Sequence, residues 1–295
     1  MNKKPALLKG PVVIGGVGGS GTRVIAKILQ ELNFFIGNDL NEPLDNLSYT
    51  LLFKRPKWYV KNKDRQEKIG RGLRIHEKSM TCTNSFSPAE HLFLFQATCD
   101  MYLNGHNIYG DGRGKWAIKR YRNLLFPGHH PKEHFSGWGW KEPNSHLLLE
   151  YLNDFFPGLK YIHTMRNGLD MAFSQNQQQL FNWGNLFGVP VPGTQAEIPE
   201  ASFRYWAAVH RYILQQSACL GAEKFLMINF DTLCREPEKE IRKLLTFLKV
   251  RDEQLNIGAL SAIPITPSSL GRSRSMQTPW LTLEDKKLME QLGFL

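Results

Sequence analysis

The sequence predicts an α/β fold, a parallel β-sheet with helices on both faces. Three observations carry that expectation. The chain opens on an apolar run, Pro11-Val12-Val13-Ile14-Gly15, that passes through glycines into a stretch of helical spacing. Short apolar runs then alternate with amphipathic stretches, the pattern of strands joined by helical crossovers. The chain's 295 residues, 42% of them hydrophobic, suffice to bury one large core or two smaller ones.

The first run reads as a buried strand. Gly15 to Gly21 read as a glycine-dense loop, and Thr22 to Leu32 as a helix with apolar positions at Val24, Ile25, Ile28, Leu29 and Leu32. Phe34-Phe35-Ile36 reads as a second strand. Residues 41–85 are polar and basic with weak periodicity, and read as a mobile or helical insertion. Residues 88–104 read as a helix. Residues 105–136, rich in glycine, histidine and arginine, read as a long surface segment.

Gly137–Lys141 is expected as a strand and Asn144–Phe155 as a helix closed by Pro157-Gly158. Leu159–Met165 is a strand running into Arg166, and Asp170–Phe181 a helix. Residues 199–219 form a long amphipathic helix, Phe225–Phe230 a strand and Pro237–Leu248 a helix. From Pro264 come turn residues, then Arg272 and Arg274, then a short final helix.

Composition narrows the classes. The apolar runs fall far short of the ~20 residues that span a bilayer. Lys9 and Gly10 interrupt the N-terminal segment before an apolar signal core can form. A cytoplasmic protein without stable membrane insertion is therefore expected. Cys82, Cys99, Cys219 and Cys234 form no C-x-x-C pair and no His-spaced metal pattern, so reduced thiols and no metal are expected. His129, His130 and His134 are spaced like loop histidines. The net charge of +10 favours anionic partners. No aromatic–basic alternation or recognition motif points to nucleic acid.

Gly16-Val17-Gly18-Gly19-Ser20-Gly21-Thr22-Arg23 is the most informative stretch. Glycines bring backbone N–H groups close to an anion, and the helix after them aims its positive end at the same point. Ser20, Thr22 and Arg23 add donors. Thr22 stands where a Walker A loop has lysine, which excludes an ordinary P-loop ATPase or kinase. Gly16, Gly18 and Gly21 match the Rossmann G-x-G-x-x-G spacing, with Asp39 placed as a ribose-binding acid would be. An NAD(P)-dependent oxidoreductase thus stays open at this point, as does a glycine turn without a ligand.

Tyr161–Ser174 shifts that balance. Arg166 ends a strand, and Ser174 lies eight residues on, expected on the following helix. Ligands of open α/β sheets bind at strand carboxyl ends. Ser20-Gly21-Thr22 resembles the 5′ loop of the PAPS-dependent sulfotransferase family, and strand-Arg-x7-Ser resembles its 3′-phosphate motif. Trp140-Lys141-Glu142-Pro143 is similar to a stretch of its bacterial, carbohydrate and tyrosyl-protein members. Phe230-Asp231-Thr232-Leu233 resembles the family's adenine-side segment, and Gly271-Arg272-Ser273-Arg274 its C-terminal one. The similarity is closer to those members than to the small-phenol cytosolic type.

The resemblance implies one domain over residues 1–295, a P-loop-like parallel sheet flanked by helices, with a variable insertion at about 41–136. It implies sulfuryl transfer from PAPS to a hydroxyl or amine, leaving adenosine 3′,5′-bisphosphate, with no metal. The acceptor is not identified by these motifs; a carbohydrate is favoured, an anionic one among them. Gly18, Gly19, Ser20, Gly21, Thr22, Arg23, Arg166, Ser174, Phe230, Arg272 and Arg274 would bind the donor. Gly19 departs from the family, which has Lys or Arg there; Arg23 or Lys141 would supply the charge. Lys141 would be the cationic stabiliser. Glu42, then Asp39, would be the base, with Glu142 and His146 out of register. A homologue that binds nucleotide or polyanion without catalysis is the remaining alternative.

Overall fold

The structure, a computed structural model, describes residues 10–81, 83, 85–104, 112–126, 135–251, 253 and 255–295. His129, His130, His134, Cys82 and the first nine residues lie outside the described residues.

The elements run β1 (Val12–Gly16), α1 (Thr22–Glu31), β2 (Phe34–Phe35), α2 (Leu47–Phe53), α3 (Pro56–Asn62), α4 (Gln66–Thr81), α5 (Pro88–Asn104) and α6 (Gly112–Leu125). Then come β3 (Gly137–Lys141), a 3₁₀ turn (Pro143–Leu148), α7 (Leu149–Phe155), β4 (Lys160–Met165), α8 (Gly168–Ala172) and α9 (Gln178–Trp183). Last are α10 (Ile198–Leu220), β5 (Phe225–Asn229), α11 (Phe230–Arg235), α12 (Pro237–Leu248), α13 (Ile257–Ser261) and α14 (Leu283–Gln291). The strands form one parallel sheet in the order β2-β3-β1-β4-β5. β1 and β4 are buried along their whole length, as strands covered on both faces must be. Among the described residues no helix is long and apolar enough to cross a membrane.

The chain divides into two compact units. The first holds the described residues up to Val13, with Leu29–Leu159. Its core includes Leu51, Leu52, Leu73, Leu94 and Trp140. Tyr49 stacks on Trp140 at 5.4 Å between centroids, and the His76 ring meets Trp140 edge-on at 4.6 Å. Gly139 is glycine because a Cβ there would drive into the Val12 carbonyl. Asn46 caps α2, its Oδ1 accepting from Tyr49 N at 3.0 Å.

The second unit holds Ile14–Ile28 with Lys160–Leu295. Its core includes Ile25, Tyr161, Phe203, Trp206 and Ile228. α10 begins on Pro199 in its first turn and ends at Gly221, whose φ of 75° suits glycine. A Thr282–Asp285 capping box opens α14.

The basic stretch 41–85, expected as mobile or helical, carries α2, α3 and α4; its lysines and arginines lie largely outside the buried positions and blur the apolar period. Three expectations need correction. The surface segment 105–136 contains α6, whose buried Ala117, Arg120 and Leu124 recur at helical spacing. The helix expected over Asp170–Phe181 is broken into α8 and α9. Gln177 Nε2 donates to the carbonyls of Met171, Ala172 and Ser174 and so closes α8. Phe230 opens α11 rather than ending β5, because Asn229 Oδ1 accepts from Thr232 N at 3.1 Å and caps that helix.

Candidate functional site

In the second unit the loop between β1 and α1 is shaped by backbone that only glycine takes easily. Gly19 and Gly21 both have φ of 89°. A side chain at Gly21 would strike the Phe230 ring, and one at Gly16 the Thr164 carbonyl. The loop therefore packs against the end of β4 on one side and the start of α11 on the other. Gln179 Oε1 accepts from Gly18 N at 2.7 Å and ties the loop to α9.

Ser20 is fully buried, and its hydroxyl has no hydrogen-bond partner. The Thr164 hydroxyl, two residues before Arg166, is likewise buried without one. Both groups are left with hydrogen-bonding capacity that the described protein atoms do not use. Thr22 is buried at the first position of α1, and Arg23 is exposed.

At the end of β4, Arg166 is held in place. Its Nη2 donates to Ser269 Oγ at 3.0 Å, and its Nε stands 3.6 Å from Asp231 Oδ1. Asp231 Oδ2 accepts from Asn167 N at 3.1 Å. Burial pushes the Asp231 carboxyl above its ordinary pKa, partly offset by Asn167 N and Arg166. Asp170 fastens the C-terminal segment to α8, accepting from Gly271 N at 2.5 Å and from Ser273 N and Oγ at 2.9 and 2.7 Å. That puts Arg272 on Ser269 O and Phe173 O, at 3.3 and 3.2 Å. Arg166 and Arg272 thus share Ser269, and Arg272 sits on the residue before Ser174. Arg274 is exposed.

Ser174 lies in the break between α8 and α9, not on a helix as the sequence suggested. Its Oγ accepts from Asn176 N at 3.3 Å.

In the first unit, Lys141 ends β3 with its side chain 4% exposed. Its ammonium forms a short ion pair with Asp45 and donates to Pro43 O at 3.2 Å. Asp39 is paired with Arg120 Nη2 at 3.0 Å, while Glu42 is exposed. Glu142 is fully buried. It caps the 3₁₀ turn through Asn144 N at 2.7 Å and lies 3.5 Å from Lys54; burial raises its pKa against the pull of Lys54. His146 Nδ1 donates to Pro143 O at 2.9 Å, and burial pushes the imidazole down to about 4. Both are built into the turn.

The structure therefore gathers the loop, Arg166, Ser174, Phe230 and Arg272 within one unit, and Lys141, Asp39 and Glu42 within the other. Sequence reasoning gave no role to Asp45, Asp170, Asp231, Gln179 or Ser269, although Asp170 and Asp231 stand inside two of the stretches that carry the resemblance. The partners that reveal them are far away in the chain, beyond what local spacing signals. Among the described residues no cluster of His, Cys, Asp or Glu is arranged to hold a metal.

The family described as "Sulfotransferase family" matches residues 11–254. The chain belongs to the sulfotransferase family. A solved structure titled as a sulfotransferase domain from the curacin biosynthetic pathway is 16% identical, at TM-score 0.51, over 98% of this chain and 99% of that one. A sulfotransferase domain of the Synechococcus PCC 7002 olefin synthase is 15% identical, at TM-score 0.49, over 100% and 99%. The sulfotransferase STF9 of Mycobacterium avium is 15% identical, at TM-score 0.44, over 97% and 76%. No curated protein matches the chain.

Family membership disfavours the Rossmann reading of Gly16, Gly18 and Gly21, and the strand order gives a physical reason. In the Rossmann order the second strand lies beside the first. In this sulfotransferase β1 lies between β3 and β4, and β2 is at the edge. Asp39, the acid that reading needed, is held by Arg120 instead.

Proposed function

We propose that this sulfotransferase moves a sulfuryl group from PAPS to a hydroxyl or amine of an acceptor, with carbohydrate favoured. The observation that carries the reading is the pairing, in one unit, of a glycine loop holding the unpartnered Ser20 hydroxyl with an arginine cluster at the end of β4. A donor with phosphates at two ends needs two such sites. The residues fit it. Gly18, Gly19, Ser20, Gly21, Thr22 and Arg23 would hold the 5′ side, and Arg166, Ser174, Arg272 and Arg274 the 3′-phosphate. Phe230 offers a packing face for the base without a hydroxyl.

The bound donor would supply the activated sulfuryl group, and the remaining work falls to the chain. Loop N–H groups and the α1 N-terminus stabilise charge at the leaving oxygen. Lys141 adds a cation whose direction Asp45 and the Pro43 carbonyl fix. Glu42, exposed in the β2–α2 connection, takes the acceptor's proton. Asp39, held by Arg120 at 3.0 Å, is second in line.

Incubation with PAPS and a panel of saccharides, following bisphosphate release, tests the reading. Acceptor-dependent release that is lost in Arg166→Ala supports it. Tight bisphosphate binding with no release against any acceptor supports the non-catalytic homologue instead.

A further inference from the structure

We propose that the first unit carries a separate binding site for an acidic saccharide, at the corner where α3, α4 and α5 meet. A cavity of about 210 Å³ opens there, lined among others by Arg55, Lys61, Asn62, Lys68 and Asp100. Binding there would be independent of sulfuryl transfer.

The cavity is well braced. Arg55 is 4% exposed and still cationic at neutral pH, burial lowering it only to about 10. Its guanidinium lies 4.1 Å from the Trp58 ring centroid, donates to Leu52 O at 3.1 and 2.8 Å, and reaches Asp100 at 3.1 Å. Phe93 meets Trp58 edge-on at 5.8 Å. These contacts commit Arg55 to holding the site open and leave recognition to the groups around it.

Two features define the ligand. The first is charge. Lys57, Lys61, Arg65, Lys68 and Arg74 are all exposed on α3, α4 and the turn between them. The acids among them are already matched, Asp64 to Lys63 at 4.0 Å and Glu67 to Arg71 at 2.6 Å. Lys61 and Lys68 form no ion pair among the described residues. Such a field draws an anion. The second is an unmet acceptor. Asn62 is 2% exposed; its Nδ2 donates to Trp58 O at 2.8 Å, and its Oδ1 is buried without a partner. That oxygen calls for a donor from the ligand, such as a hydroxyl.

A ligand bearing both anionic groups and hydroxyls meets both demands. An acidic saccharide carries both on every unit, whereas the donors of single-stranded DNA are on its bases, so DNA would have to present a base to the cavity. Trp58, with Arg55 over its ring and Phe93 at its edge, offers no open platform for a stacked base.

The test is calorimetric titration of the full chain, at one fixed salt concentration, with short dextran sulfate, neutral dextran of the same length and a single-stranded DNA oligomer. The site predicts that dextran sulfate binds and neutral dextran does not. Lys61→Glu with Lys68→Glu should weaken dextran sulfate by roughly tenfold or more, about 1.4 kcal/mol. The same charge change at Lys239 and Lys243, exposed on α12, should alter it by less than about twofold. Asn62→Ala should weaken dextran sulfate severalfold and leave DNA unaffected. Equal losses from both double variants would overturn the proposal in favour of general charge attraction. DNA binding as tight as dextran sulfate, and indifferent to Asn62, would overturn the saccharide assignment.

Discussion

Arg166 Nε stands 3.6 Å from Asp231 Oδ1, so the arginine assigned to a phosphate already faces a carboxylate. The other oxygen of Asp231 holds the next backbone N–H, that of Asn167. The carboxylate thus braces the arginine's backbone and opposes an incoming anion. The two roles separate by substitution. Asp231→Asn keeps an acceptor for Asn167 N but removes the charge, and should tighten adenosine 3′,5′-bisphosphate severalfold while leaving 5′-AMP unchanged. Asp231→Ala removes the brace as well and should weaken the bisphosphate. Titration of both ligands against both variants checks this.

Ser20 invites a test in which stability and binding move apart. Its buried hydroxyl bonds to nothing in the protein, so Ser20→Ala should leave thermal stability unchanged or slightly raised. Bisphosphate affinity should fall by roughly 10- to 150-fold, about 1.5–3 kcal/mol for one lost hydrogen bond to a charged group.

Gly21 should tolerate no side chain. Its φ of 89° strains any other residue, and the Phe230 ring fills the space a Cβ would need. Gly21→Ala should destabilise the chain by roughly 1–3 kcal/mol from the backbone alone, read as a lower urea midpoint.

Stability should fall on acidification from near neutrality. Burial holds His76 down to about 3 and His146 to about 4, against an ordinary value of 6.5. The unfolded chain takes up these protons first, so the stabilisation is complete above about pH 6.5. It is lost as pH falls toward the folded values, at up to about 1.4 kcal/mol per pH unit for each histidine. Urea midpoints measured between pH 7 and 4 check the slope, and His76→Leu should flatten it.

The sequence was most legible where short range decides structure. β1, its glycine loop, α1, β3 and β4 follow from apolar runs ending in glycine, lysine or arginine, and the strand and helix limits fall within a residue or two. α6 was not legible, because Arg120, which lies buried on Asp39, looks in sequence like one more surface charge. The break at Ser174 was hidden because it depends on three bonds from one glutamine side chain. The site shows the same division. Loop and arginine residues announce themselves by spacing. Asp45, Asp170 and Gln179 do not, since they act on groups 96, 101 and 161 positions away.

The most direct measurement is calorimetric titration with adenosine 3′,5′-bisphosphate, 5′-AMP and NAD. The two-phosphate reading predicts that the bisphosphate binds tightest, and that Arg166→Ala removes its advantage over 5′-AMP. Equal binding of the bisphosphate and 5′-AMP, or a preference for NAD, would contradict it.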